Sequence, residues 1–222
     1  IVRQICDHYD ILLIDDEVMA GFGRAGSMFA IEDFGVVPDM ICAAKGMSAG
    51  YAPLGGVIVK EEIFQAFLAG SGIFVHGHTY GGNPLAAATA VAVVKTLLDD
   101  GLVENARNLG GYLLDRLREK LLPFWFVGDV RGKGLMQGVE FVRDKKTKAP
   151  FPVKAGVAEK VAQKLIDHGI IVYPGTGNAD GEDGDQFLLA PPLILTRDQA
   201  DEIVSAMVNG FSELEQEFTA LR

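Results

Sequence analysis

The sequence predicts an α/β unit over about the first 100 residues, followed by a smaller α+β lobe. Two observations predict the first part. Short apolar runs end in charged residues at 11–15, 40–44 and 54–59, and a helix start at Asn83-Pro84 opens a long apolar segment. The third observation is a shift after Pro123, where strand-like runs FWFVGDV and MQGVEFV flank a short turn and lead into the basic loop RDKKTKAPFP.

Taken in order, IVRQICDHYD (1–10) reads as the tail of an amphipathic helix with Ile1, Ile5 and Cys6 on one face, so the N-terminus reads as cut rather than begun. ILLID (11–15) is too short for a helix and suits a buried parallel strand. A glycine-rich loop follows, then SMFAIEDFG, a short helical piece stopped before Pro38. MICAA (40–44) and LGGVIV (54–59) read as further strands of the same buried kind. Asn83 as N-cap and Pro84 at the first helical position start LAAATAVAVVKTLLDD, which is apolar nearly all round and predicts a buried helix. Leu102, Ala106, Leu109, Leu113, Leu117 and Leu121 recur at helical spacing, in a helix that suits a connector between two lobes. Val153, Val157, Val161 and Leu165 mark another helix, IIVY a strand, and FLLAPPLIL an apolar run broken by two prolines. Thr196 and Gln199 form a capping-box pattern ahead of a last helix lined by Ile203, Met207, Val208, Phe211 and Leu214. The resulting division is 1–101, a connecting helix over 102–122, and 123–222.

Composition narrows the function classes. With 222 residues, 49% hydrophobic and 23% charged, the chain has the means to bury a core. Its net charge of −10 argues against a nucleic-acid partner, whose phosphates would repel it. Two cysteines, Cys6 and Cys42, are too few for a disulfide framework or a structural zinc site, and suggest a reducing, cytoplasmic setting. No apolar run approaches the roughly 18–20 residues of a membrane span. Glycine, 27 residues in all, is in excess, which points to tight turns and close backbone approaches.

The chemistry-bearing residues sit at strand ends. Asp16 closes the first strand and Lys45 follows the second, 29 residues on, about one strand–crossover–strand unit. Ligands of open α/β sheets bind outside the carboxyl ends of the strands, so both residues face one crevice. Desolvation makes a lysine amine a usable Schiff-base nucleophile, and an opposed aspartate can hold a pyridinium N–H; pyridoxal phosphate needs this pair. Solvated strand-end charges are the plain alternative.

Three other features invite a reading. Gly21-Phe22-Gly23-Arg24-Ala25-Gly26 matches GxGxxG, but it begins five residues after the strand, opens no clear helix and has no acidic residue about 20 positions on, so a glycine-rich turn is the simpler reading. His76 and His78 lack a third metal ligand nearby, while Thr79 and the N–H groups ahead of a helix suit a phosphate. Asp180, Glu182, Asp183 and Asp185 lack EF-hand spacing and read as a solvated acidic loop, so no metal site is expected.

Together ILLIDDEVMAGFGRAG (11–26), PDMICAAKGMSAGYAPLGGVIV (38–59), HGHTYGGNPLAAATAVAV (76–93), VRGKGLMQGVEF (130–141) and LLAPPLIL (188–195) resemble the class III pyridoxal-phosphate aminotransferases, the ω-transaminase-like group, over essentially the whole chain. The resemblance implies a fold-type I transferase: the C-terminal part of a large cofactor-binding domain with a mostly parallel sheet (1–101), the connecting helix, and a C-terminal small domain (123–222). It implies that Lys45 forms the internal aldimine and shuttles the proton of the 1,3-shift. Asp16 would pair with the pyridine nitrogen, and Val18 would pack on one face of the ring. Thr79 would reach the cofactor phosphate across a homodimer interface. The implied cofactor is pyridoxal 5'-phosphate, and the implied substrates are a small amine or ω-amino acid and an α-keto acid. The glycine run becomes part of an active-site loop.

Two departures follow from the same resemblance. The phosphate cup and the aromatic cover of the other ring face lie in an N-terminal half that precedes residue 1 here. The mobile arginine that many such enzymes carry before the APP motif is absent from 178–186, which holds four acidic residues instead. Carboxylate recognition would then come from elsewhere, or one substrate is a cationic amine. The competing readings are another pyridoxal reaction of aminomutase or racemase type, a non-catalytic truncated piece, and a nucleotide-binding oxidoreductase.

Overall fold

The fold is that of a computed structural model, which describes residues 1–221. It divides into two compact units, Ile1–Glu104 and Asn105–Arg222.

The first unit is built on a small mixed sheet. Its elements are α1 (Val2–His8), β1 (Ile14–Asp16), β2 (Met40–Ala43), β3 (Gly56–Val59), α2 (Glu61–Ala69) and α3 (Pro84–Asp99). β1 and β2 pair in parallel, joined by a connection long enough for a crossover. The third run differs from expectation: β3 pairs with β2 antiparallel, Met40 opposite Val59 and Ala43 opposite Gly56. Only residues 44–55 join β2 to β3, and they hold a single 3-10 turn, Lys45–Met47, too little for the crossover a parallel return requires. β3 is also exposed along its whole length rather than buried, because no other element of the described residues lies over it.

α3 starts as its sequence requires: the Asn83 side chain accepts from the N–H groups of Leu85 and Ala86, with Pro84 next. Burial is the second correction. Only Ala86 and Leu97 of α3 are buried, and Leu85, Val91 and Leu98 are exposed. An all-round apolar helix needs neighbours on every side, and this unit supplies them on one. α2 has no counterpart in the sequence reading; Glu61 and Glu62 in its first turn and the spacing of Ile63, Phe64, Phe67 and Leu68 were the available signals.

Asp39 ties the unit together. Its carboxylate accepts from Arg3 at 2.7 Å, from Lys60 at 2.7 Å and from the backbone N–H of Leu13 at 2.8 Å. These donors hold α1, the entry to β1 and the exit from β3 around one residue. They also hold the Asp39 carboxyl well below the usual carboxylate range, led by the Leu13 N–H.

The second unit holds the dense core. Helix α4 (Leu102–Leu121) begins at the boundary and places Ala106, Leu113, Leu117 and Leu121 in that core. Four antiparallel strands, β4 (Val127–Lys133), β5 (Met136–Phe141), β6 (Tyr173–Thr176) and β7 (Asp185–Leu189), stand in the order β4-β5-β7-β6. β5 alternates half-buried and buried residues, as a sheet with one covered face must. Helices α5 (Val157–Asp167) and α6 (Arg197–Thr219) complete the unit. Phe126, Phe141, Phe187, Phe211 and Phe218 meet at its centre, with Phe126 edge-on to Phe218 at 5.1 Å. The Thr196 capping box forms as the sequence indicates: its hydroxyl accepts from Gln199 N–H, and Gln199 accepts from Thr196 N–H. Among the described residues no helix is long and apolar enough to cross a membrane.

Candidate active site

The site starts from strand register. In the parallel pair Asp16 stands opposite Cys42, so β1 and β2 end at the same edge of the sheet. Asp16 is the last residue of β1, and Lys45 opens the 3-10 turn just past β2. Asp16 is exposed, and its Oδ1 accepts from the N–H of Val18 at 3.0 Å, turning the chain off the strand. Its other carboxylate oxygen has no hydrogen bond among the described residues, and the Lys45 ammonium has no carboxylate partner there.

The backbone at this edge is strained. Lys45 lies in the left-handed region at φ 40°, with Phe22 at 55° and Ala49 at 50° in the same two loops. Each such non-glycine residue costs about 1–2 kcal/mol. Strain that the surroundings maintain is a pointer to function. Gly46 permits the two loops to meet, since a Cβ there would lie 3.0 Å from the Cβ of Phe22.

The glycine run is a wrapped turn. Phe22 N–H donates to the Met28 carbonyl, Gly23 N–H to Ser27 and Gly26 N–H to Gly23. Those N–H groups are spent within the loop and leave no phosphate cradle, and no helix opens at Gly26. The dinucleotide reading therefore has no support here. Glu17, buried to 1% exposure, closes the base of this loop. Its N–H donates to the Cys42 carbonyl, its carbonyl accepts from Gly21 N–H, and its Oε1 accepts from Ile31 N–H at 2.9 Å.

Thr79 stands in an exposed loop four residues before the N-cap Asn83, and among the described residues no hydrogen bond links it to Asp16, Val18 or Lys45. The structure thus brings Asp16, Val18 and Lys45 to one sheet edge and leaves Thr79 on a separate loop. His76 and His78 lie edge to face at 5.0 Å, and no cluster of metal-ligating side chains forms among the described residues.

In the second unit three carboxylates of the acidic loop are committed to backbone N–H groups, within the loop and at α5 and the turn before it. Asp180 accepts from the N–H groups of Glu182 and Asp183, Asp183 from Val153 and Asp185 from Ala158. Asp185 is fully buried, and desolvation pushes its carboxyl up. A shallow depression of about 670 Å³ on this unit is lined by His168, Asp198, Asp201, Glu202 and Asn209. It contains none of the predicted site residues, and Asp201 is already bonded to Tyr112 and Arg116.

The lysine and the aspartate thus stand at the carboxyl ends of adjacent parallel strands, where open α/β sheets bind their ligands. The sequence profile of the class III aminotransferases matches residues 1–211, and the chain belongs to that family. An aminotransferase of Gibberella zeae is 42% identical over 205 residues, covering 92% of this chain and 40% of that protein. The adenosylmethionine-8-amino-7-oxononanoate aminotransferase of Aquifex aeolicus is 37% identical over 222 residues, 97% of this chain and 46% of that one. Among solved structures, a transaminase from the marine bacterium Virgibacillus superposes with a TM-score of 0.91 at 38% identity, covering 98% of this chain and 48% of that chain. An amine transaminase from an uncultivated Pseudomonas species, in its PLP-bound form, superposes at 0.88 with 40% identity, covering 96% and 47%. The chain spans less than half the length of each of these four.

Proposed function

We propose that this chain is the lysine-bearing part of a pyridoxal-phosphate-dependent transaminase that moves an amino group from an amine or ω-amino acid to an α-keto acid. The observation that carries this reading is the placement of Asp16 and a strained Lys45 at the carboxyl ends of one parallel strand pair. The residues fit the cofactor by their donor chemistry: an exposed carboxylate with a spare oxygen for a ring N–H, and a free amine for a carbonyl carbon. When bound, pyridoxal phosphate supplies the electron sink that accepts a carbanion's electrons.

The chain's own residues divide the remaining work. Asp16 holds the proton on the pyridine nitrogen by accepting its hydrogen bond. Lys45 Nζ acts as nucleophile and then takes and returns a proton, which requires its neutral form for part of the cycle. Val18 packs its branched side chain against a ring face, and Thr79 offers its hydroxyl to the phosphate of a neighbouring subunit in a homodimer. Residues 1–101 serve as the later part of the cofactor-binding domain, 102–122 as connector and 123–222 as small domain, at work in the cytoplasm. The break between two compact units at Glu104 and Asn105 supports a division near the start of the connecting helix, most of which belongs to the second unit and its core.

The test is absorption and turnover in the full-length protein. Wild-type protein loaded with pyridoxal phosphate is expected to show a visible band and keto-acid-dependent amine consumption, and Lys45→Ala to lose both. A variant that keeps the band and the turnover removes the assignment. Reaction without any keto acid would favour the aminomutase or racemase alternative.

A further inference from the structure

Asp15 on β1 and Glu17 just past its end flank Asp16; the Glu17 N–H bond to the Cys42 carbonyl carries the strand pairing on to Glu17, so alternate side chains here share one face. Their side chains therefore lie together on the face opposite Asp16. Asp15 Oδ2 and Glu17 Oε2 are both buried, and neither has a donor among the described residues. The two carboxyl groups are nonetheless within hydrogen-bonding reach of each other. Two ionised carboxylates are acceptors only and cannot bond. A single proton held between them satisfies both buried oxygens at once.

We propose that Asp15 and Glu17 are a proton-sharing carboxyl pair that positions Asp16 from the opposite face of its strand. The role rests on the cofactor reading above; the shared proton does not. The proton stays on Asp15 and is donated to Glu17, which leaves Glu17 Oε1 free to hold the N–H of Ile31. That bond, with the Glu17 backbone bonds to Cys42 and Gly21, anchors the turn that leaves β1 immediately after Asp16. Loss of the proton to solvent sets two buried charges against each other and loosens the anchor.

The surrounding elements bear few other charges. Asp16 lies on the same strand, Cys42 on β2 opposite it, Arg24 in the glycine loop, and Glu32 and Asp33 on the 3-10 turn Ala30–Phe34. Glu32 is bonded to Phe29 N–H, and Asp33 accepts from Ser27. Desolvation first, then the Glu17 charge, pushes the Asp15 carboxyl up to about 6. A carboxyl raised in the folded state stabilises most at low pH. That stability is full below the unfolded value near 3.9 and is lost progressively from there to about pH 6.

The experiment is thermal unfolding of the cofactor-free, full-length protein between about pH 4 and pH 7. Asp15→Asn mimics the protonated group with a permanent donor. It is expected to match wild type at about pH 4, to melt higher at about pH 7, and to flatten the slope between. A slope identical to wild type overturns the shared proton. Positioning is read from cofactor affinity: Glu17→Ala is expected to weaken it about tenfold, and Glu17→Gln, which keeps both hydrogen bonds, to restore it. If Glu17→Ala does not fold, Asp15→Ala is read the same way. Wild-type affinity in the alanine variant overturns the positioning role, whatever its melting temperature. A wild-type protein that binds no pyridoxal phosphate sinks the cofactor reading and the positioning role, while the unfolding curves still judge the proton.

Discussion

Asp39 takes Arg3, Lys60 and the Leu13 N–H at once, so one side chain closes contacts over sequence separations of 36, 21 and 26 residues. Its carboxyl is held below the usual range, so the stability it contributes is present above the unfolded value near 3.9 and is lost as pH falls below that. Asp39→Asn is expected to lower the melting temperature at neutral pH and to shrink the acid-induced loss, so the two proteins converge near about pH 2. Unfolding curves across the acid range check this; an unchanged neutral melting temperature would count against it. In the sequence Asp39 is one residue of the run PDMICAAK, just ahead of the second apolar stretch. Its three partners lie on other elements, and no local pattern names them. Asp16 and Lys45 differ because the ends of apolar strands are visible in the chain itself.

Elements were readable where their signals are local. Asn83-Pro84 and the Thr196–Gln199 box mark helix starts through bonds spanning three residues or fewer, and both appear as written. The neighbouring glycines of α4 show where such legibility stops. A Cβ on Gly110 would collide with the backbone carbonyl of Gly134, whereas one on Gly111 meets nothing within 4 Å. Gly110→Ala is expected to destabilise by about 3 kcal/mol through overpacking, because the obstacle is backbone. Gly111→Ala is expected to stabilise by about 0.5–1 kcal/mol through helix propensity. Urea unfolding of the two variants should move the midpoint in opposite directions, and movement in the same direction would refute the packing argument. Both residues read alike in the sequence; the turn before β5 distinguishes them.

At the scale of the whole chain, the two units carry unequal cores. The second buries a phenylalanine cluster, while the first leaves Val57, Ile58, Phe64, Leu68, Ile73, Phe74 and Leu85 exposed. Exposed apolar surface of this extent on strands and helices invites association. The 222-residue chain expressed alone is expected to bind pyridoxal phosphate weakly and to aggregate or bind hydrophobic dyes. Supplying the remaining part of a class III aminotransferase chain is expected to suppress both. Size-exclusion chromatography with and without that partner checks this, and a soluble chain with full cofactor absorbance and turnover would overturn it.

The sequence by itself determined most kinds of element, several helix starts, the family and the two strand-end residues on which the proposed function rests. Each depends on composition, periodicity or motifs a few residues long. Tertiary structure decided the antiparallel return of β3, the exposure of α3 and the three donors on Asp39. These depend on which distant segments come together, and strand direction and burial are settled only when the neighbours are in place.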